Sequence, residues 1–574
     1  MKRSQVKNRM RLLSAFILVV TAIIVGRLYQ IQVVKADYYA DRAEQQYVHT
    51  ERDVYSRGSI YFTNKDGSTL SAAAIRSGYK LAANPEHITV SHEAFCTALQ
   101  DYLTISTERC VERISAPGRV YVELLGQIDE AVGTEIRALD LDGARLYRSQ
   151  WRYYPGGSLA ARSIGFVAYG GSDNQLRGTY GLERFYDDEL FTTNRIRTVN
   201  FFAELFSSTD ELFAAGDEKK GSADIVTTLE PSVSRMLDSV LQKTNDTYES
   251  TITGAIVMDP KTGEIVAMNA VPGFDLNARS NADIEQFRNP LVENVYEFGS
   301  TIKALTVAAG LDAGAITPQT TYYDSGSIEL DDYTISNFDG RGRGTVLMQE
   351  ILNQSLNTGV AFIVEQMGKE SFRDYFIDFK LGSETGIDLP NEVHGLVDNL
   401  QSPRDVEFAT ASFGQGIAMT PIATTRALAT LANGGTLVTP HLVQKIAYHD
   451  GEVKEVRYPE GNRVLRTETS EEISRMLTEV VDDALRGGSV ALPNHTVAAK
   501  TGTAQIPDPV NGGYYEDKFL HSFFGYFPAF DPEFIVFMYT VDPQGVRYAS
   551  ETLTNPFMEI TQFLINYYSI PPDR

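Results

Sequence analysis

An α+β fold organised around one antiparallel sheet is what this 574-residue sequence predicts, and three observations carry the expectation. In "ITGAIVMDPKTGEIVAMNAV" two apolar strands are joined by a turn at Asp259 to Gly263. Near the end, "FFGYFPAFDPEFIVFMYTV" repeats the pattern of strand, turn and strand. Helical stretches fill the interval, so the first and last strands close one sheet and the helices pack on its faces. With 43% hydrophobic and 22% charged residues the composition is globular, with room for roughly two to four domains.

The chain opens with Lys2, Arg3, Lys7, Arg9 and Arg11 and no acid, so the remainder is more acidic still than the net charge of −24. So acidic a body argues against a nucleic-acid partner. Next come "LLSAFILVVTAIIVG" and "RLYQIQVV"; with Arg27 snorkelling, residues 12–34 reach the roughly 20 residues of a bilayer crossing. The expectation is a cytoplasmic tail over 1–11 and a single transmembrane anchor over 12–34. The positive-inside rule then places everything beyond about residue 35 outside the cytoplasm. "VKA" before Asp37 is a poor cleavage site for the competing signal peptide.

Residues 36–222 mix short strand-like runs with Gly-rich turns and read as an extended, irregular α+β pedestal. "AAGDEKKGSAD", Ala214 to Asp224, reads as a linker, and residues 223–570 form the second, better-ordered region. The two cysteines, Cys96 and Cys110, lie in the exported part, where a disulfide and two buried thiols both fit. No C-x-x-C, H-E-x-x-H or Walker-type loop occurs, so neither metal nor nucleotide cofactor is expected.

The chemistry starts at "YEFGSTIKALTVAAGL", Tyr296 to Leu311. From Thr301 onward Lys303 is its only charge, on a helix apolar enough to be buried on nearly every side. Such a lysine must be paired, neutralised or used. Ser300 lies one turn earlier on the same face, so the two fit a nucleophile and its base. Downstream stand "NQSLNTGV", with Ser355 and Asn357, and "VAAKTGTAQI", with Lys500, Thr501, Gly502 and Thr503. Together they give the ordered set S-x-x-K, S-x-N and K-T-G of serine acyltransferases. Chance copies occur at Ser4 and Lys7, Ser77 and Lys80, Ser172 to Asn174 and Lys261 to Gly263, but none has the required order and setting. Lys500 leads into a strand in which glycine is expected to let a ligand approach the backbone.

On these motifs the sequence resembles the class B penicillin-binding proteins, monofunctional peptidoglycan D,D-transpeptidases. The resemblance extends through "GRLYQIQV", "SRGSIY", "RYYPGGSLAARSIGFV", "GTYGLERFYDDEL" and "FGQGIAMTPIATTRALATLANGG". It implies a bitopic membrane protein with a dimerisation-like pedestal and a C-terminal domain like that of serine β-lactamases. The implied substrates are the D-Ala-D-Ala ends of stem peptides, with β-lactams as inhibitors. By the same resemblance Ser300 is the nucleophile, Lys303 its base and Ser355 a proton relay. Asn357 would hold the peptide and Lys303, while Lys500, Thr501 and Thr503 bind the terminal carboxylate. The N–H groups of Ser300 and Thr503 would form an oxyanion hole. "YEFGSTIK" and "KTGT" resemble division-type more than elongation-type enzymes, which implies a polytopic glycan polymerase and other division-complex membrane proteins as partners. A D,D-carboxypeptidase, a β-lactamase and a wall-assembly scaffold with a vestigial site are the alternatives. Phe298 stands where relatives carry proline, and Phe62 and Thr63 where they carry Asp-Arg.

Overall fold

The computed structural model describes residues 57–170, 175–191, 222–459 and 461–574, with residues 18–21, 24, 25 and 27 near the start. The tail, most of the expected anchor, most of the linker and the Ser172–Asn174 decoy lie outside the described residues. Among the described residues no helix is long and apolar enough to cross a membrane. The chain divides into two compact units, one containing Ile75–Trp151 and the other formed by Arg57–Ala74 with Arg152–Arg574.

In the first unit, helices His92–Ala98 and Thr107–Ile114 begin at Ser91 and Ser106, whose hydroxyls accept the N–H groups of Ala94 and Arg109. Cys96 and Cys110 sit on the buried faces of these helices and form a disulfide, which settles the choice the sequence left open. Closing this 14-residue separation stabilises the unit by about 3 kcal/mol in the chain-entropy picture. Their core includes Phe95, Leu99 and Ile114, with Val122 and Leu124 from strand Val122–Ile128.

The second unit is built on a five-stranded antiparallel sheet, ordered Ala498–Pro507, Tyr514–Phe527, Phe534–Val541, Ile252–Met258 and Ile265–Val271. The first and last strand pairs meet in the middle, with Ile535 opposite Met258 and Val541 opposite Ile252. Side chains alternate across the sheet as strand geometry requires. Ile256, Phe537 and Tyr539 enter one core, with Phe298, Leu305 and Ile351. Ala255, Val257, Val536 and Met538 enter the other, with Leu237, Leu241 and Phe557 from helices Pro231–Tyr248 and Thr554–Tyr568. The Lys261–Gly263 decoy is the expected turn, Asp259 Oδ1 accepting the N–H groups of Lys261 and Thr262.

The pedestal motifs that belong to this unit converge on buried charge. Glu183 of "GLERF" accepts Arg57 of "SRGSIY" and Arg152 of "RYYPGG", both at 2.6 Å, and Asp187 takes a second arm of Arg57 at 2.7 Å. Burial pushes the Glu183 carboxyl up, yet the two arginines outweigh it and hold it below the usual range. At the departures from the family pattern, Phe62 is buried in the core, and the Thr63 hydroxyl donates to the Thr227 carbonyl.

Candidate active site

Ser300 occupies a single 3₁₀ turn, Gly299–Thr301, directly ahead of helix Lys303–Asp312. Two glycines bring this turn against strand Ala498–Pro507. Gly299 has φ +59°, and a Cβ there would stand 2.7 Å from the Thr503 carbonyl oxygen. At Gly502 a Cβ would stand 2.4 Å from both the Phe298 carbonyl oxygen and Ser522 Oγ. What Gly502 admits is therefore the nucleophile's own turn, a different reason for the glycine than the approach of a ligand. Phe298 is buried, its ring edge-on to Phe537 at 4.9 Å, and its carbonyl accepts Ser522 Oγ at 2.7 Å. An aromatic anchor and a hydroxyl clamp thus fix the entry to the helix at this position. Gly414 of "FGQG" closes the other side, accepting the Gly299 N–H at 3.2 Å.

Lys303 through Gly310 are all buried, as the apolar helix predicts. Lys303 Nζ does not bond the Ser300 hydroxyl; it donates to the Ser355 carbonyl at 2.6 Å and to Ser355 Oγ at 3.2 Å. Ser355 bends into the left-handed region at φ +54°, turning both its oxygens toward the lysine. Lys500 Nζ reaches the same Oγ at 3.2 Å and the Thr501 carbonyl at 3.0 Å. Burial, and then the charge of Lys500, drive the Lys303 amine well below its ordinary value. Burial alone lowers Lys500 to about 7. Two buried cations bridged by one hydroxyl disfavour each other's protons, and at Lys303 the charge of Lys500 adds to the effect of burial.

Counting donors and acceptors assigns the free valences. A neutral Lys303 uses its two N–H groups on Ser355 and keeps a lone pair. Ser355 Oγ accepts from both lysines, which leaves its O–H to donate. Lys500 has a third N–H uncommitted. Thr503 Oγ1 accepts the Ala549 N–H at 3.0 Å and retains its own proton.

Asn357 begins helix Asn357–Met367, and its amide donates to the Ser336 carbonyl at 2.8 Å rather than to Lys303. Asn337, which sequence reasoning missed, accepts the Asn357 N–H at 2.9 Å and is itself held by Asp324. No local pattern announces a cap supplied from twenty residues away. Glu297 is also new: burial raises it to about 7, and it accepts the Tyr514 hydroxyl at 3.0 Å.

Ser300, Ser355, Asn357, Lys500, Thr501 and Thr503 line one cleft of about 680 Å³. Its cations are Lys500, Arg486 and Arg547, and no Asp or Glu lines it, in a chain of net charge −24. Among the described residues no cluster of acids, histidines or cysteines could hold a metal. The arrangement offers a hydroxyl nucleophile, a neutral amine base, a bridging hydroxyl and a cation, the requirements of acyl transfer to serine.

Residues 253–562 match the penicillin binding protein transpeptidase domain, and residues 53–204 the penicillin-binding protein dimerisation domain. The chain is 30% identical over 573 residues to stage V sporulation protein D of Bacillus subtilis, covering 97% of this chain and 85% of that protein. It is 26% identical over 576 residues to the probable peptidoglycan D,D-transpeptidase PenA of Neisseria meningitidis, covering 98% and 93% respectively. Penicillin binding protein 3 from Mycobacterium tuberculosis superposes with a TM-score of 0.64 at 26% identity, over 74% of this chain and 92% of that one. Penicillin binding protein 2X from Streptococcus thermophilus shares the fold, with a TM-score of 0.69 at 22% identity over 90% and 80% of the two chains.

Proposed function

The chain belongs to the class B penicillin-binding proteins and is a D,D-transpeptidase, and from this premise we propose how its residues perform the reaction. Ser300 Oγ attacks the carbonyl of the penultimate D-alanine as its proton passes to the lone pair of Lys303. The N–H groups of Ser300 and Thr503 receive the developing oxyanion. Ser355 hands a proton to the departing D-alanine amine and is replenished from Lys303. Lys500, Thr501 and Thr503 hold the terminal carboxylate, which keeps the scissile bond over Ser300. An amine from a second stem peptide then attacks the ester and completes the cross-link. The observation that carries this reading is the bridging of two buried, pKa-depressed lysines by Ser355 beside Ser300.

A hydrolase would share the acylation half. It would then need a base to hold water against the ester, and the cleft lining supplies no carboxylate. The reading therefore favours a long-lived acyl-enzyme over β-lactamase or carboxypeptidase turnover. We assign a septal role in wall synthesis, with a polytopic glycan polymerase as membrane partner. The organisation is a tail over 1–11, an anchor over 12–34, a pedestal over 36–222 and a catalytic region over 223–570. The family matches fall within the last two regions and support that division. Retention of the full chain in carbonate-washed membranes tests the anchor.

The test of the chemistry is to label the protein with benzylpenicillin, map the adduct, remove free drug and follow its mass. The expected result is an adduct on the Ser300 peptide that persists for minutes to hours. An adduct elsewhere, or rapid return of free Ser300 with multiple turnover, would overturn the assignment.

A further inference from the structure

One wall of the cleft is the segment Arg547–Ser550, and three contacts fasten its backbone. The ring of fully buried His521, opposite Thr503 in the strand register, bonds the Arg547 carbonyl at 3.0 Å and the Thr552 hydroxyl at 2.9 Å. Thr503 Oγ1 accepts the Ala549 N–H at 3.0 Å. Arg486 donates to the Ser550 carbonyl at 2.9 Å and to Asn555 at 2.9 Å. The wall is thus tied to the strand that carries Thr503.

This wall presents the Arg547 guanidinium between two rings, 5.9 Å from the centre of Phe519 and 5.8 Å from that of Tyr548. Tyr548 in turn meets Phe338, which also lines the cleft, edge-on at 5.8 Å. The rings restrict the arginine while leaving its N–H fork open. The other cations of the cleft are committed. Lys500 bonds Ser355 and Thr501 and keeps its third N–H for the terminal carboxylate, and Arg486 is spent on the wall itself. Among the described residues Arg547 makes no ion pair, and its guanidinium donates no hydrogen bond.

We propose that Arg547 is a specificity-determining residue that binds a second carboxylate of the substrate peptide, upstream of the D-Ala-D-Ala end. A planar, unpaired guanidinium in an acid-free cleft selects a carboxylate by bidentate hydrogen bonding. The proposal rests on the transpeptidase reading, because it presumes a peptide acyl donor lying in this cleft.

The experiment compares peptides ending in D-Ala-D-Ala that carry glutamate or glutamine at each of the three preceding positions in turn. D-Alanine release by the full-length protein in detergent is the readout. At one position the glutamate peptide is expected to have a kcat/KM about five- to tenfold higher, mainly through KM, with the preference shrinking as salt rises. Arg547→Gln abolishes this ratio and Arg547→Lys keeps part of it. Absence of any preference in the parent protein overturns the proposal, as does a preference that survives Arg547→Gln. Penicillin labelling of Ser300, scored in the same preparations, separates failure of this proposal from failure of the underlying reading. Should Arg547→Gln not fold, the parent's salt dependence and the lysine variant decide the question.

Discussion

Two of the buried charge clusters in the second unit are built on opposite principles. Around Glu183, two carboxylates meet two arginines, and every charge has a partner within 2.7 Å. Burial lowers Arg57, but Glu183 and Asp187 more than restore it, so its pKa ends raised. Around Ser355, two lysines meet hydroxyl and carbonyl oxygens and, for Lys303, the Phe413 ring, but no carboxylate, and both pKa values fall. The paired cluster fixes backbone and favours the charged forms of Glu183 and Arg57. The unpaired one keeps an amine neutral where water would protonate it, which is what a base requires. In these two clusters the compensated charge serves structure and the uncompensated charge serves chemistry.

The largest effect that could break this contrast is on acylation. Lys303→Arg keeps the charge but cannot yield its proton, and acylation by penicillin is expected to slow by about 10²- to 10⁴-fold. Stopped-flow or quenched labelling measures it, and a normal rate would remove Lys303 as the base. On the compensated side, Glu183→Gln leaves buried Arg152 with no carboxylate and Arg57 with Asp187 alone, and is expected to cost about 3–5 kcal/mol in urea unfolding. Because the folded Glu183 pKa is depressed, its stabilisation is present above the unfolded carboxylate value and lost as pH falls through the folded one. The smallest effect sharpens the comparison most. Lys500→Met removes an uncompensated cation, so unfolding should show no loss of stability, and up to about 1 kcal/mol of gain, while penicillin labelling collapses. A loss as large as that of Glu183→Gln would mean that the two clusters are alike.

The sequence made these regions legible to different degrees. Alternation and turn chemistry are local, so the hairpin Ile252–Val271 and the terminal strand pair could be read directly. The Ser300 to Lys303 spacing and the apolar helix around it are local too. By contrast Arg57, Arg152 and Glu183 were visible only as pieces of family-like motifs, since ion pairs across 126 and 31 residues leave no periodic signal. Asn337, His521 and Arg547 were missed for the same reason. Gly502 was recognised, but for a ligand's approach, whereas the Phe298 carbonyl and Ser522 are what press on it. Asn357 was expected on Lys303 and bonds Ser336, because the helix it begins is held by Asn337.

The central claim is that Lys303 is neutral and Lys500 still charged when acylation occurs, and the pH dependence of the penicillin acylation rate tests it most directly. Acylation needs the unprotonated Lys303, so the rate rises as pH passes the depressed value of that lysine. It needs the cationic Lys500 to hold the carboxylate, so it falls again on the alkaline side with a midpoint at about 7. Lys500→Arg, which keeps its charge at high pH, should erase the alkaline fall in whatever activity remains. The account predicts this bell, with both limbs far below the ordinary lysine value of 10.5. A rate that climbs steadily toward pH 10 would show that Lys303 titrates as an ordinary, solvated lysine and would contradict the account.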